Sequence, residues 1–184
     1  MREAASEHYP PVESWEPEYC GNIDIRIAAD GTWYHEGRPI RRPELVKLFS
    51  RVLRRDDDGH HYLVTPVEKM RIRVDDAPLH VSAMQLAGSG REQRIVFRTL
   101  TDDRIPLDAD HPIVMRAAPT TGEPRPYVRA RGALDALVLR PVYYELAEYV
   151  CEAMIDGRVR LGVWSAGSFF PLDEPQSPTR GNAG

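Results

Sequence analysis

Two hydrophobic patterns follow one another along the chain. Apolar residues at every second position, as in Ile23, Ile25 and Ile27, predict half-buried strands. Apolar residues spaced three and four apart, as in 45–53 and 143–154, predict helices with one buried face. Most of the remaining pattern is of the strand type. The two helical segments among many strand segments therefore predict an α+β protein with only two helices.

The first helix is predicted to begin at Pro43, where a missing backbone N–H costs nothing. Its apolar face extends to Leu53, and Asp56-Asp57-Asp58-Gly59 is expected to end it. A hairpin with an Asp30-Gly31 turn precedes this helix, since that dipeptide tolerates positive φ. A strand at 62–64 follows.

Residues 70–140 have the pattern of a strand-rich segment closed by one helix. The second helix is predicted to begin at Pro141, to include Cys151 and Met154, and to be capped by Gly157. Cys151 is therefore expected to be buried. The strands are predicted at 70–74, 79–86, 93–100, 104–107, 112–116, 127–131, 136–139 and 159–163.

A helix-to-strand segment occurs twice. Residues 42–63 and 140–161 align without a gap at a shift of 98 and match at seven of 22 positions, from Arg-Pro to Asp-Gly. Average composition would give roughly one or two matches. Because any helix needs start and stop signals, coincidence is the alternative, but the matched spacing favours an internal duplication.

These patterns divide the chain into four parts. Residues 1–20 are predicted to be an extended N-terminal arm, and residues 21–69 a small α+β domain. Residues 70–172 are predicted to form a larger β-rich domain, an antiparallel sheet with a closing helix, and residues 173–184 a disordered tail. The run of short strands followed by one helix indicates a superficial likeness to pleckstrin-homology domains.

Composition and charge disfavour only a few classes of function. The net charge of -4 does not favour binding to duplex nucleic acid. No apolar segment approaches the roughly 20 residues of a membrane-spanning helix, so no membrane partner is expected. The N-terminus has no apolar run typical of a signal peptide, and two cysteines make no disulfide framework. The expected location is the cytoplasm.

Catalytic and metal-binding motifs are not evident. Asp56-Asp57-Asp58-Gly59 fails the calcium-loop pattern, because placing Gly59 at position 6 puts Arg54 and Thr65 at the first and last ligand positions. No nucleophile elbow, phosphate loop or zinc motif occurs. The sequence therefore predicts no cofactor and no metal.

Polar and aromatic side chains cluster near the first hairpin and the first helix, and they are the candidate ligand-binding residues. Arginine forks bind carboxylate and phosphate in two-pronged fashion, and aromatic faces cover planar rings. A solvated sheet face with a few core aromatics is the alternative interpretation. The candidates are Arg26, Trp33, His35, Arg38, Arg42, Tyr62, Thr65, Glu68 and Lys69.

Several strings resemble the bacterial DUF1285 family over about residues 20–172. They are 20–27, 30–33, 37–40, 45–50, 63–69, 131–132, 143–146 and 162–165, among them Gly162-Val163-Trp164-Ser165. The resemblance implies a duplicated, two-domain α+β core whose second domain is superficially similar to pleckstrin-homology folds. It also implies a site at the domain interface for a nucleotide-like ligand, and a link to signalling.

Three functions stay open at this point. The first is a protein that binds a small anionic, nucleotide-like ligand in the cleft between the domains. The second is a small enzyme that uses Glu68 and Lys69 at the same cleft, and the third is a protein-interaction module without a small ligand. The absence of a recognisable catalytic motif in the sequence favours the first.

Overall fold

The computed structural model describes residues 9–173, which form two large sheets, one small sheet and two α-helices. The chain is therefore an α+β protein of two domains, as the sequence predicts. The arm residues 1–8 and the tail residues 174–184 lie outside the described range. Residues 9–18 of the arm include a short 3-10 helix at Val12–Ser14, with Val12 buried.

The first sheet contains the N-terminal strands in the order β3-β2-β1-β6-β5-β4. The central pair, β1 and β6, is parallel, and the other neighbours are antiparallel. Helix α1, Pro43–Arg51, connects β3 to β4. The strands are β1 Tyr19–Ile27, β2 Trp33–His35, β3 Arg38–Pro39, β4 Leu53–Arg55, β5 His61–Val64 and β6 Lys69–Val74.

The second sheet has the order β10-β11-β12-β7-β8-β9. Its β7–β12 pair is parallel and the others are antiparallel, so the sheet is mixed where the sequence predicted an antiparallel one. The pleckstrin-homology likeness stays a prediction. The strands are β7 Leu79–Ala87, β8 Arg94–Thr99, β9 Arg104–Pro106, β10 Ile113–Ala117, β11 Pro124–Arg131 and β12 Leu134–Val138. A short 3-10 helix, Gly90–Glu92, precedes β8.

The small third sheet is an antiparallel meander that follows helix α2, Arg140–Ala147. Its strands are β13 Cys151–Ile155, β14 Arg158–Ser165 and β15 Ser168–Pro171. One buried hydrophobic cluster includes Ile72 of the first sheet, Phe97 of the second and Val163 of the third. The domains therefore share a continuous core.

The two matching sequence segments adopt the same order of elements. Each consists of a helix followed by a three-stranded antiparallel meander: α1 with β4–β6, and α2 with β13–β15. The shift of 98 places Leu53, the first residue of β4, on Cys151, the first residue of β13. The agreement in order and start positions is that expected of the predicted duplication.

The predicted helix ends were wrong at both copies. Leu53 begins β4 instead of ending α1, and the Asp56–Gly59 segment is the turn between β4 and β5. Cys151 and Met154 lie exposed in β13, so the predicted burial of Cys151 was also wrong. Gly157, with φ 76°, belongs to the β13–β14 turn, because Asp-Gly suits a hairpin as well as a helix cap.

The division between the sheets falls after β6. The sequence placed a boundary between residues 69 and 70, but β6 begins at Lys69 and pairs with β1 and β5 of the first sheet. Residues 75–78 then lead into β7 of the second sheet. This connecting segment passes one side of a cleft between the two sheets.

Candidate functional site

A cavity of about 690 Å³ lies between the first and second sheets. Its volume is within the roughly 300–1,000 Å³ that is usual for small-molecule sites. Strands of both sheets and the segment that connects them contribute side chains. The charged and imidazole groups are Arg55, His60, His61, Arg71 and Arg73 from the first sheet, Asp75 and Asp76 from the connection, and Arg116 and Asp135 from the second sheet.

The three aspartates of this cleft already have arginine partners. Asp75 accepts from Arg26 over 2.7 Å and from Arg73 over 3.2 Å. Asp135 is held in the same way by Arg116 and by Arg129 of β11. Their negative charge is therefore compensated within the protein.

Asp76 has a different pair of partners. Its carboxylate accepts from the Tyr127 hydroxyl over 2.7 Å and from Arg125 over 3.3 Å. Its side chain is only 1% exposed, so these two bonds replace the water it lost on folding. Burial, together with the hydrogen bond to Asp76, raises the pKa of Tyr127. Tyr127 thus remains a donor to Asp76 at neutral pH.

Two cleft arginines have no carboxylate partner among residues 9–173. Arg55 donates only to the backbone oxygen of Gly59, over a long 3.4 Å, and Arg71 makes no ion pair. Arg71 lies on β6 opposite Tyr62, and Arg55 lies on β4 opposite His61. Guanidinium groups prefer anion partners that accept two hydrogen bonds. Arg55 and Arg71 are therefore the groups of the cleft that can bind an added anion.

His61 lines the same cleft in its neutral form. Burial, followed by the positive charge of Arg55, lowers the pKa of His61 from 6.5 to about 4. The carboxylate of Asp135 acts in the opposite direction but is outweighed. At neutral pH the imidazole therefore offers one donor and one acceptor and does not add a charge.

The structure separates the nine predicted site residues, and none of them lines the cleft. Arg26 comes nearest, because it holds Asp75 and lies over the Tyr34 ring at 4.7 Å. Trp33 is buried and stacks on Phe49 of α1 with ring centroids 6.3 Å apart. Trp33 therefore packs the core and offers no open face to a ligand.

His35, Arg38 and Arg42 lie exposed at one end of the first sheet. His35 and Arg38 are opposite each other in the β2–β3 pair, and β3 is the edge strand. Arg42 precedes α1, and its backbone oxygen accepts from the first turn of that helix. Neither Arg38 nor Arg42 borders the interdomain cleft.

Tyr62 and Lys69 do lie together, but with aspartates of the β4–β5 turn. Lys69 donates to Asp56 over 2.7 Å and its ammonium lies 4.7 Å from the centre of the Tyr62 ring. The Tyr62 hydroxyl donates to Asp58 over 2.6 Å, which raises the pKa of Tyr62 to about 12. The Tyr62 hydroxyl and the Lys69 ammonium are thus both engaged by aspartates of this turn.

Thr65 and Glu68 form the turn between β5 and β6. The Thr65 hydroxyl oxygen accepts from the backbone N–H of Glu68 over 3.2 Å, and the Glu68 side chain is exposed. Lys69, the other half of the proposed acid–base pair, is occupied by Asp56. These contacts give the turn a structural explanation, and neither Glu68 nor Lys69 borders the interdomain cleft.

Sequence reasoning missed Arg55, Arg71 and Arg116 as site residues. They come from β4, β6 and β10, which are distant along the chain, so no local spacing joins them. Alternation on β6 was recognised, with Arg71 between the apolar Met70 and Ile72. Only the folded sheets reveal that this strand borders the cleft.

Within residues 9–173, no group of three or more histidine, cysteine, aspartate or glutamate side chains could hold a metal ion. No helix in the same range is long and apolar enough to span a membrane.

The two helix–meander units, together with the cleft between the first and second sheets, define a two-domain α+β class of protein. The family model for the N-terminal domain of DUF1285, a domain of unknown function, matches residues 10–77. The model for the C-terminal domain of that family matches residues 78–172. The chain therefore belongs to the DUF1285 family.

Two solved structures support this assignment. The chain is similar to a DUF1285 family protein from Silicibacter pomeroyi DSS-3, with 47% identity, a TM-score of 0.82, and coverage of 91% of this chain and 88% of the other. It also resembles a DUF1285 family protein from Shewanella baltica OS155, with 26% identity, a TM-score of 0.53, and coverage of 67% and 90%. A comparison with curated proteins finds no match.

Proposed function

We propose that this protein binds a small anionic ligand in the cleft between its two sheets. The observation that carries the proposal is the pair of arginines, Arg55 and Arg71, that border the cleft without a carboxylate partner among residues 9–173. Since the aspartates around them are already paired, the arginines are available to an external phosphate or carboxylate.

The energetics favour an anion over a neutral ligand. Each charge-assisted hydrogen bond contributes about 1.5–3 kcal/mol, so two arginines that each bind an anion through two bonds contribute about 6–12 kcal/mol, a range that includes the roughly 8 kcal/mol of micromolar binding. His60 and His61 add planar rings at the same cleft. A nucleotide-like ligand, with phosphates on the arginines and its base against an imidazole, is therefore the first class to test. A role in signalling stays a prediction.

The first experiment is a thermal-shift screen with inorganic phosphate, nucleoside mono-, di- and triphosphates, and the matching nucleosides. A ligand at 100 times its dissociation constant adds about 2.7 kcal/mol to the free energy of unfolding. We expect phosphorylated compounds to stabilise the protein and the uncharged nucleosides to do so much less. Equal stabilisation by nucleosides and nucleotides, or none by any anion, would contradict the proposal.

The same mixtures should be analysed for products by chromatography. The proposal expects the ligand to be recovered unchanged. Turnover that persists in Lys69→Ala but is lost in His61→Asn would replace ligand binding with catalysis in the cleft. Turnover lost in Glu68→Gln would instead support the enzyme hypothesis drawn from the sequence.

A further inference from the structure

A second, smaller cavity of about 270 Å³ lies where α2 meets β11 and β12. Its walls are mainly apolar and come from Pro124 and Pro126 of β11, Leu137 of β12, and Tyr143 and Tyr144 of α2. The volume is below the roughly 300–1,000 Å³ of sites for drug-sized molecules. An occupant of this cavity is therefore small and has an apolar body.

Two arginines converge at the rim of this second cavity. Arg125 belongs to β11 and Arg140 begins α2, yet both guanidinium groups approach the same oxygen, Oε2 of Glu123. The distances are long, 3.7 and 3.9 Å, and neither contact meets hydrogen-bond geometry. Glu123 is 57% exposed, so this shared contact is a weak surface ion pair.

The two arginines differ in how firmly they are held. Arg125 is fixed by its ion pair with the buried Asp76, and Arg140 is 76% exposed. A carboxylate that enters the rim at normal hydrogen-bond distance can displace the loosely held Glu123 from both. The position of Glu123 Oε2 thus indicates where the negative charge of a ligand would bind between the two arginines.

We propose that the second cavity binds a small carboxylic acid with an aromatic or branched apolar body. The carboxylate lies between Arg125 and Arg140 in place of Glu123, and the apolar body packs against Tyr143, Tyr144 and the prolines. Aromatic and proline surfaces suit such a body because they are rigid and lose little side-chain entropy on binding. This site is separate from the interdomain cleft and does not depend on the anion proposed there.

The probes are benzoate, phenylacetate and isovalerate, each compared with its carboxamide. Binding is measured on the full chain by saturation-transfer NMR and by isothermal titration calorimetry, with probe concentrations into the millimolar range. At least one acid should bind, and its carboxamide should bind about tenfold more weakly or not at all, because the amide lacks the charge. Failure of all three acids, or equal binding of acid and amide, would overturn the proposal.

Three exposed positions separate the contributions of charge and packing. Arg140→Ala should weaken acid binding about tenfold or more, since one of the two cations is lost. Tyr144→Ala, which removes a wall that is 64% exposed, should weaken binding of the acid without altering the preference for acid over amide. Glu123→Gln should tighten acid binding, because the competing carboxylate is gone.

The cleft variant Arg71→Ala distinguishes the two sites. It should leave probe binding unchanged, since Arg71 does not border the second cavity. Probe binding that is lost in Arg71→Ala and kept in Arg140→Ala would place the acids in the interdomain cleft and overturn the second site. Weaker binding in Glu123→Gln would also overturn it. Circular dichroism on each variant confirms that the compared proteins are folded.

Discussion

Arg131 Nη1 donates a 2.6 Å hydrogen bond to Oδ1 of Asp103, while its Nη2 donates to the backbone oxygen of Ser50. Ser50 is in α1 and Arg131 is in β11, so one side chain joins the N-terminal and C-terminal domains. Asp103 also accepts from the Tyr9 hydroxyl over 2.6 Å. Asp103 is buried, with its side chain 5% exposed, and Arg131 is partly buried, with its side chain 19% exposed.

Replacing Arg131 should therefore destabilise the whole molecule. Arg131→Ala leaves Asp103 as a buried charge without its cation, which costs about 3–5 kcal/mol. The control is Arg129→Ala on the same strand, because Arg129 is 42% exposed and Asp135 keeps Arg116. We expect a loss of about 1 kcal/mol or less there. Equal losses of unfolding free energy in urea would contradict a special role for Arg131.

The pH dependence of stability should report His61. Burial first, then the charge of Arg55, lowers the pKa of His61 from 6.5 to about 4. The unfolded chain therefore takes up a proton below about pH 6.5, whereas the folded chain does so only near pH 4. The free energy of unfolding should fall by on the order of 2 kcal/mol over that window, as pH decreases.

Variants at adjacent histidines separate this contribution. His61→Asn should flatten the decline between about pH 6.5 and 4, whereas His60→Asn should keep it. Part of the decline will remain, because burial also lowers the pKa of His80. The Asp103 carboxylate affects stability only at lower pH. Burial raises the pKa of Asp103, but Arg131 and the hydroxyl donors outweigh burial and hold that pKa below 3.8. The stability that the ionised Asp103 contributes is therefore lost only as pH falls below the window of His61. An unchanged slope in His61→Asn would contradict the assignment.

Arg54 should hold the N-terminal segment against the first sheet. Its Nη1 donates to the backbone oxygens of Val12 and Trp15 over 2.8 and 2.7 Å, and its Nε pairs with Asp56. Arg54→Ala should cost about 2–4 kcal/mol and raise amide hydrogen exchange at 12–16. The control is Glu13→Ala, at an exposed residue of the same segment, which should change neither the free energy of unfolding nor the hydrogen exchange. Unchanged protection of the amides of residues 12–16 from hydrogen exchange in Arg54→Ala would contradict this role of Arg54.

Gly162 should resist any larger side chain. A Cβ at this position would lie within 2.2 Å of the Phe170 backbone oxygen on the neighbouring strand β15. Gly162→Ala should therefore lose about 1–3 kcal/mol, or more if β15 cannot shift. Gly157→Ala is the control, since it meets no atom within 4 Å and carries only the cost of its positive φ. A milder effect at Gly162 than at Gly157 would contradict the steric argument.

The sequence predicted the fold better than the site, for physical reasons. Strand alternation and the Arg-Pro starts of both helices are local signals, and they located α1, α2 and the repeat. The helix ends were missed because Leu53 satisfies helical spacing although it begins β4, and because Asp-Gly serves hairpins and helix caps alike.

The candidate site could not be found in the same way. Trp33 and Arg38 were chosen because they are close in sequence, but the fold buries one and places the other on an edge strand. Arg55 and Arg71 meet at the cleft only through the pairing of β4, β5 and β6. Long-range strand order, which no local pattern specifies, determines which arginines can share a ligand.

The most direct test of the central claim is calorimetry on matched arginine variants with the best anion from the thermal-shift screen. Arg71→Ala removes a cleft donor that has no carboxylate partner within residues 9–173, and Arg38→Ala removes an exposed arginine that does not border the cleft. We predict that Arg71→Ala weakens binding roughly tenfold or more, while Arg38→Ala leaves the dissociation constant unchanged. Full affinity in Arg71→Ala, with a loss in Arg38→Ala, would contradict the cleft and move the site to the edge of the first sheet.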